Sequence, residues 1–279
     1  MLYQLTRANT PFDQLKPMIF VRLSYEGRFG IKNTEKKTET PKVLEMLNLE
    51  DSGKTVIDVP SEKYITNAAL QILREGSEAP KRYTIFDIEV WKVGLDVNDK
   101  EAKASAEKYV TTLRKMRKHL PDRQLGYYGL PVHRELKASL SPRSSGIYQS
   151  WQRRNDLLQD LADELDVFYP SLYAFHNDPD KWKIYAREHI SEARRLARKG
   201  QKIIVFLWPE FHDRSRYSGK RIDYKFWKLQ LETAFKYADG VFIWDNDEFP
   251  FTDPAWLSAS RDFIKDIEAK GAIINRELM

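Results

Sequence analysis

The chain has 279 residues, of which 42% are hydrophobic and 13% aromatic, a composition that supports a hydrophobic core and excludes disorder as the main state. Lys and Arg number 46 against 41 Asp and Glu, a net charge of +5, which is too mild to name a nucleic-acid partner. There is no cysteine, so disulfides, thiolate metal sites and cysteine nucleophiles are excluded, and no apolar run reaches the ~18 residues that a membrane-spanning helix needs.

From the N-terminus, MLYQLTRANTPFDQ lacks the charged-then-apolar layout of a signal peptide. Location is left open: extracellular or periplasmic if an export signal was removed, otherwise cytoplasmic or phage-associated. Short apolar runs then predict strands at Met18–Leu23, Thr55–Val59, Tyr83–Ile88, Gln124–Gly129, Val167–Tyr173, Lys202–Trp208 and Gly240–Trp244. Most are continuous runs with no alternation, the pattern of strands buried on both faces of a parallel sheet. Helical periodicity lies between them. Ala106, Val110, Leu113 and Arg117 share one stripe, and Leu157, Leu161 and Leu165 another. Ala186, Ile190, Ala193 and Ala197 precede a stop at Lys199-Gly200, and Trp227, Leu231, Ala234 and Ala238 precede one at Asp239-Gly240. A last helix carries Phe263, Ile264 and Ile267.

The strand starts recur every 28 to 43 residues, room for one strand, one helix and two loops. Such alternation predicts one α/β domain spanning residues 1–279, a TIM-type (β/α) barrel of seven or eight strands. The rival, an open doubly wound sheet, is disfavoured because no glycine-rich phosphate loop follows any strand. Glu26–Lys42 and Pro131–Gly146 are the expected long excursions.

Barrel active sites sit at the C-terminal ends of the strands. Those ends read Asp87-Ile88-Glu89-Val90-Trp91, Tyr127-Tyr128, Ser171-Leu172-Tyr173, Trp208-Pro209-Glu210-Phe211-His212 and Trp244-Asp245. Aromatic faces stack on sugar rings, and carboxylates run glycosidic chemistry. Asp87 and Glu89 stand at i and i+2 on a strand and so point to the same side. Two carboxyls facing one cleft raise each other's pKa, which keeps one protonated as a proton donor. Neighbours on a strand face opposite ways, so one of Tyr127 and Tyr128 is expected in the core. Trp91, Tyr127, Ser171, Trp208, Glu210, His212, Trp244 and Asp245 are the expected substrate contacts. His119, His133, His176 and His189 show no ligand spacing, so neither a metal nor a cofactor is expected. Arg22, Arg28 and Lys32, near the first strand end, are candidates for meeting an anionic substrate.

These motifs, in this order, resemble the animal-type hyaluronidase family of retaining glycoside hydrolases. Phe86-Asp87-Ile88-Glu89-Val90-Trp91 is similar to the family's D-[FW]-E-x-W strand, and Leu125-Gly126-Tyr127-Tyr128-Gly129-Leu130-Pro131 to its W-G-[YF]-Y-x-[YF]-P. Phe168-Tyr169-Pro170-Ser171-Leu172-Tyr173 resembles its [LF]-[FY]-P-S-[IV]-Y, and Gly240-Val241-Phe242-Ile243-Trp244 its G-[AV]-V-[IL]-W. The likeness covers residues 80–245 and implies a distorted barrel. It implies Glu89 as general acid/base and Asp87 as the group that orients a substrate 2-acetamido group, whose carbonyl oxygen is the internal nucleophile. Tyr128, Tyr173 and Ser171 would line the cleaved sugar's subsite, with Trp244 against the ring. The chain departs from the family in lacking its cysteines and in carrying Val132-His133-Arg134 after the fourth strand.

The expected function is hydrolysis of an amino-sugar-containing, anionic polysaccharide, with neither nucleic acid nor membrane as partner. Two alternatives stand beside it: a polysaccharide lyase on uronate chains with a tyrosine base, and a non-catalytic carbohydrate-binding barrel.

Overall fold

Continuous apolar runs make parallel strands here. In a computed structural model of the chain, the structure describes residues 2–7, 18–22, 42–45, 58–74, 83–244, 255–269 and 272–275. In chain order the elements are β1 (Leu2–Arg7), β2 (Met18–Arg22), β3 (Lys42–Glu45), α1 (Glu62–Arg74), β4 (Tyr83–Asp87), α2 (Asp99–His119), β5 (Gln124–Tyr127), α3 (Leu136–Ser139) and α4 (Gly146–Asp156). They continue with α5 (Gln159–Glu164), β6 (Val167–Phe168), α6 (Pro179–Leu196), β7 (Lys202–Leu207), α7 (Tyr224–Tyr237), β8 (Gly240–Trp244), α8 (Ala255–Ala269) and β9 (Ala272–Asn275). The chain divides into two compact units, one from Pro41–Pro170 and Ser191–Ile203, the other from Met1–Thr40, Ser171–Ile190 and Ile204–Met279.

In the first unit β3, β4 and β5 form a parallel ladder, with Glu45 opposite Asp87 and Phe86 opposite Tyr127. β6 pairs in parallel with the first two residues of β7. Four of the five β4 residues are buried, as a strand covered on both faces requires. Helix α2 starts where the Asn98 side chain accepts from the Glu101 amide at 3.0 Å. It buries Ala102, Ala106, Tyr109, Leu113 and Met116 on one face. Arg117, expected on that stripe, instead donates to the Asp166 carboxylate at 2.8 Å and the Glu164 carbonyl at 2.7 Å.

In the second unit β7, β8 and β2 run parallel, Met18 opposite Gly240 and Arg22 opposite Trp244. β1 and β9 extend this ladder in the antiparallel sense, a departure from the all-parallel expectation. Asp223 caps α7 by accepting from the Lys225 and Phe226 amides. Trp227 of α7 donates to the Ser260 hydroxyl of α8 at 2.9 Å.

Six of the seven expected strands are present. Of the Thr55–Val59 run, residues 55–57 lie outside the described residues, and Asp58 and Val59 are not in a strand. The Val167–Tyr173 run is cut short: β6 has two residues, and beyond it only isolated bridges form at Tyr169 and Ser171. Pro170 stands between them and has no N–H for a ladder. Most of the Glu26–Lys42 excursion also lies outside the described residues, and Pro131–Gly146 contains the short α3. Among the described residues neither ladder closes on itself, and no helix is long and apolar enough to cross a membrane.

Candidate active site

In the first unit, β4 delivers Asp87 as its last residue, half-buried, and Glu89 follows, exposed. Ile88 between them is buried. The strand ends at Asp87, one of whose carboxylate oxygens is buried, whereas Glu89, two residues on, is exposed. Tyr128 follows the last residue of β5, half-buried, and its amide donates to the Phe86 carbonyl at 3.0 Å. With Phe86 opposite Tyr127, this register sets Asp87 and Tyr128 level on adjacent strands, whose spacing is about 4.8 Å. Gly129 carries a positive φ of 72°, which turns the chain out of the strand after Tyr128, and its amide donates to the Tyr169 carbonyl at 2.8 Å.

Two residues expected to touch sugar lie elsewhere. Tyr127 has no exposed surface, packs on Phe86 and Tyr109, and spends its hydroxyl on the Tyr109 carbonyl at 2.9 Å. Trp91 is 5% exposed, with its ring edge-on to Tyr109 at 5.0 Å. Both rings are enclosed. They form the core layer under the strand ends.

Tyr109 is the residue that sequence reasoning missed. Its hydroxyl donates to the carbonyls of Ile88, at 2.7 Å, and Trp91, at 3.0 Å. Burial first, and then the negative charges of Glu89 and Asp87, push this hydroxyl well above the ordinary phenol range, so it is a permanent donor. Its position three residues after Ala106 and four before Leu113 marks it as inward-facing. Nothing in the sequence shows which carbonyls it meets.

In the second unit, Ser171 and Leu172 are held by backbone and by helix. Ser171 bridges Phe206 of β7, and the Leu172 amide donates to the Phe206 carbonyl at 2.9 Å. From α6, the Tyr185 hydroxyl reaches the Ser171 carbonyl at 2.8 Å and the Trp182 indole the Leu172 carbonyl at 2.9 Å. Tyr173 and Trp208, both nearly buried, meet edge-on at 5.4 Å between centroids. His212 stacks on Phe175 at 4.4 Å and lies 6.2 Å from Tyr173. Its Nδ1 accepts from the Arg214 amide at 3.1 Å, which places the neutral ring's proton on Nε2. Glu210 is half-buried. Burial raises its carboxyl, the Arg221 guanidinium at 3.7 Å opposes the rise, and Asp213 adds to it. Trp244 ends β8, half-buried. Asp245, Arg28 and Lys32 lie outside the described residues.

The expected residues therefore form two sets, each within its own unit: Asp87, Glu89 and Tyr128 in one, and Ser171, Tyr173, Trp208, Glu210, His212 and Trp244 in the other. Among the described residues no group of three or more His, Asp or Glu side chains gathers as a metal would need.

The architecture of parallel strands followed by helices belongs to the α/β class, with the carboxyl pair and the aromatic residues at strand ends. No family model matches the chain, and no curated protein matches it by sequence. Its fold is shared with solved structures of bee venom hyaluronidase. One, a complex with a hyaluronic acid tetramer, aligns at a TM-score of 0.57 and 16% identity, covering 90% of this chain and 95% of that one. A monoclinic crystal form of bee venom hyaluronidase aligns at 0.58 and 14% identity, over 89% and 96% of the two chains. The resemblance carried by the four motifs is thus matched at the level of fold.

Proposed function

We propose that the chain is a glycoside hydrolase of the hyaluronidase type that cleaves an amino-sugar-containing, anionic polysaccharide with retention. The reading takes the chain as one distorted α/β-barrel domain with its site at the strand ends. The observation that carries it is the pair Asp87 and Glu89, either side of buried Ile88 where a core strand ends, in a fold shared with a hyaluronidase.

In this mechanism Glu89, the exposed member, gives its proton to the departing glycosidic oxygen. The substrate's acetamido carbonyl oxygen attacks the anomeric carbon as that bond breaks and forms a cyclic intermediate. Asp87 accepts a hydrogen bond from the acetamido N–H and balances the positive charge that develops. Glu89, now a carboxylate, takes a proton from water, and that water opens the ring from the first leaving group's side. No second carboxylate is needed across the cleft, so both acids can stand on one strand. Tyr128, level with Asp87, is read as lining the cleaved sugar's subsite, and Ser171, Tyr173, Trp208, Glu210, His212, Trp244 and Asp245 are read as further substrate contacts. Exposed Arg214, Arg216 and Lys220 after β7 support an anionic chain as substrate.

The test is incubation with hyaluronan, chondroitin, chitin-type oligomers and bacterial capsular polysaccharides, with mass analysis of the products. Glu89→Gln is expected to lower turnover at least ~10²-fold, the scale of lost general acid catalysis. Full turnover in that variant overturns the assignment. Unsaturated products absorbing in the near ultraviolet would instead mark a lyase, and binding without cleavage a carbohydrate-binding barrel.

A further inference from the structure

A proton donor at a strand end acts only if its backbone is held, and here the ladder stops short of it. β4 pairs with β5 as far as Phe86 and with β3 as far as Asp87. Glu89 and Val90 then form a two-residue arch, both exposed. The residues on either side of that arch are Ile88 and Trp91, and the carbonyls of both accept from one hydroxyl, that of Tyr109.

Tyr109 is itself fixed from three directions. It is 2% exposed on the inner face of α2. Its ring lies edge-on to Trp91 at 5.0 Å and to Tyr127 at 4.9 Å. Its carbonyl accepts from the Tyr127 hydroxyl at 2.9 Å, which ties α2 to the end of β5. The arch therefore rests on a circuit of β4, α2 and β5, in which the Tyr109 hydroxyl is the link from α2 to the arch. A side chain this buried does not reach substrate.

We propose that Tyr109 is a positioning residue for the Asp87–Glu89 pair: its hydroxyl, shared between the Ile88 and Trp91 carbonyls, sets the arch that aims the Glu89 carboxyl. The inference rests on the reading of Glu89 as general acid/base. Burial above all raises the phenol well above its ordinary range, so the hydroxyl is a donor at neutral pH.

Tyr109→Phe isolates the hydroxyl, because it keeps the ring and its packing. It is compared with Glu89→Gln and with Ile72→Val, a core change on α1 chosen as a stability control. On the polysaccharide that wild type cleaves, Tyr109→Phe is expected to lower kcat ~10- to 100-fold, the scale of a misplaced catalytic group, with KM within about twofold. Amide exchange at residues 88–91 should quicken while the middle of α2 keeps its protection. Ile72→Val should keep wild-type kcat. A Tyr109→Phe enzyme with wild-type kcat overturns the proposal, and so does a kcat loss that Ile72→Val reproduces. If Glu89→Gln is fully active the catalytic reading fails by itself, and exchange then decides the brace: unchanged protection at 88–91 overturns it, and faster exchange sustains it.

Discussion

Gly126, in the middle of β5, has no room for a side chain. A Cβ there would run into the Val167 carbonyl oxygen and come within 2.6 Å of the Tyr169 ring. Neither neighbour yields easily, since one is backbone and the other a wholly buried ring. Gly126→Ala is therefore expected to destabilise the fold by about 1–3 kcal/mol, the range for overpacking. A melting temperature lower by several degrees in thermal unfolding would bear this out, and an unchanged one would contradict it. Gly129, three residues on, is glycine for a different reason, its φ of 72°, and a Cβ there meets nothing within 4 Å. Both glycines stand in the motif that carried the family resemblance. A sequence does not separate a glycine needed for close approach from one needed for backbone conformation. That distinction requires knowing that Tyr169 lies against β5.

At the scale of elements, one device recurs. Aromatic side chains on helices donate to carbonyls of the chain beyond strand ends: Tyr109 to Ile88 and Trp91, Trp151 of α4 to His133, and Trp182 and Tyr185 of α6 to Leu172 and Ser171. β4, β7 and β8 were legible, because they are apolar runs and burial on two faces demands that, whereas β1, β3 and β9 were not read. Helix α4 was not. Its buried residues are Tyr148, Trp151, Arg154 and Asn155, so half of its inward face is polar and apolar periodicity passes over it. Arg154 is satisfied by the carbonyls of Gly94 and Val97 and by Asp99. Asn155 donates to Glu192 of α6 at 3.0 Å, and Gln152 to the same carboxylate at 3.1 Å. Arg195, bonded to Glu192 at 2.7 Å and to Asp156 at 2.6 Å, completes the cluster. The Glu192 side chain is 1% exposed, and loss of its charge would leave these donors poorly matched. Glu192→Gln is expected to cost about 2 kcal/mol at neutral pH, the worth of hydrogen bonds to a buried charge. Urea unfolding measures it, and an unshifted midpoint would mean that the cluster contributes nothing net.

At the scale of the whole molecule, half-buried His133 and buried Glu192 of the first unit each contribute to the response to acid. His133 is driven down to about 4, by burial first; Asp96 opposes this, while Arg134 and Arg154 reinforce it. The folded chain thus holds His133 neutral over a range in which the unfolded chain takes up a proton. Stability is whole above the ordinary histidine value of 6.5 and declines as pH falls towards 4. At 1.36 kcal/mol per pH unit the loss approaches roughly 3 kcal/mol. Glu192 acts lower on the scale. Burial alone would raise it, yet hydrogen bonds from Arg195, Gln152 and Asn155 together hold it below the ordinary carboxylate range. Its contribution is present above 4.5 and disappears as pH falls through its lowered folded value. Acid should therefore weaken the fold in two successive stages, which urea midpoints measured from pH 8 downward can resolve. His133→Gln, which removes the first proton site, is expected to flatten the curve between pH 6.5 and 4 and leave the lower stage in place. Glu192→Gln should flatten only the lower stage. An upper slope that survives His133→Gln would show that some other group binds the proton, since the variant's side chain has nothing to titrate.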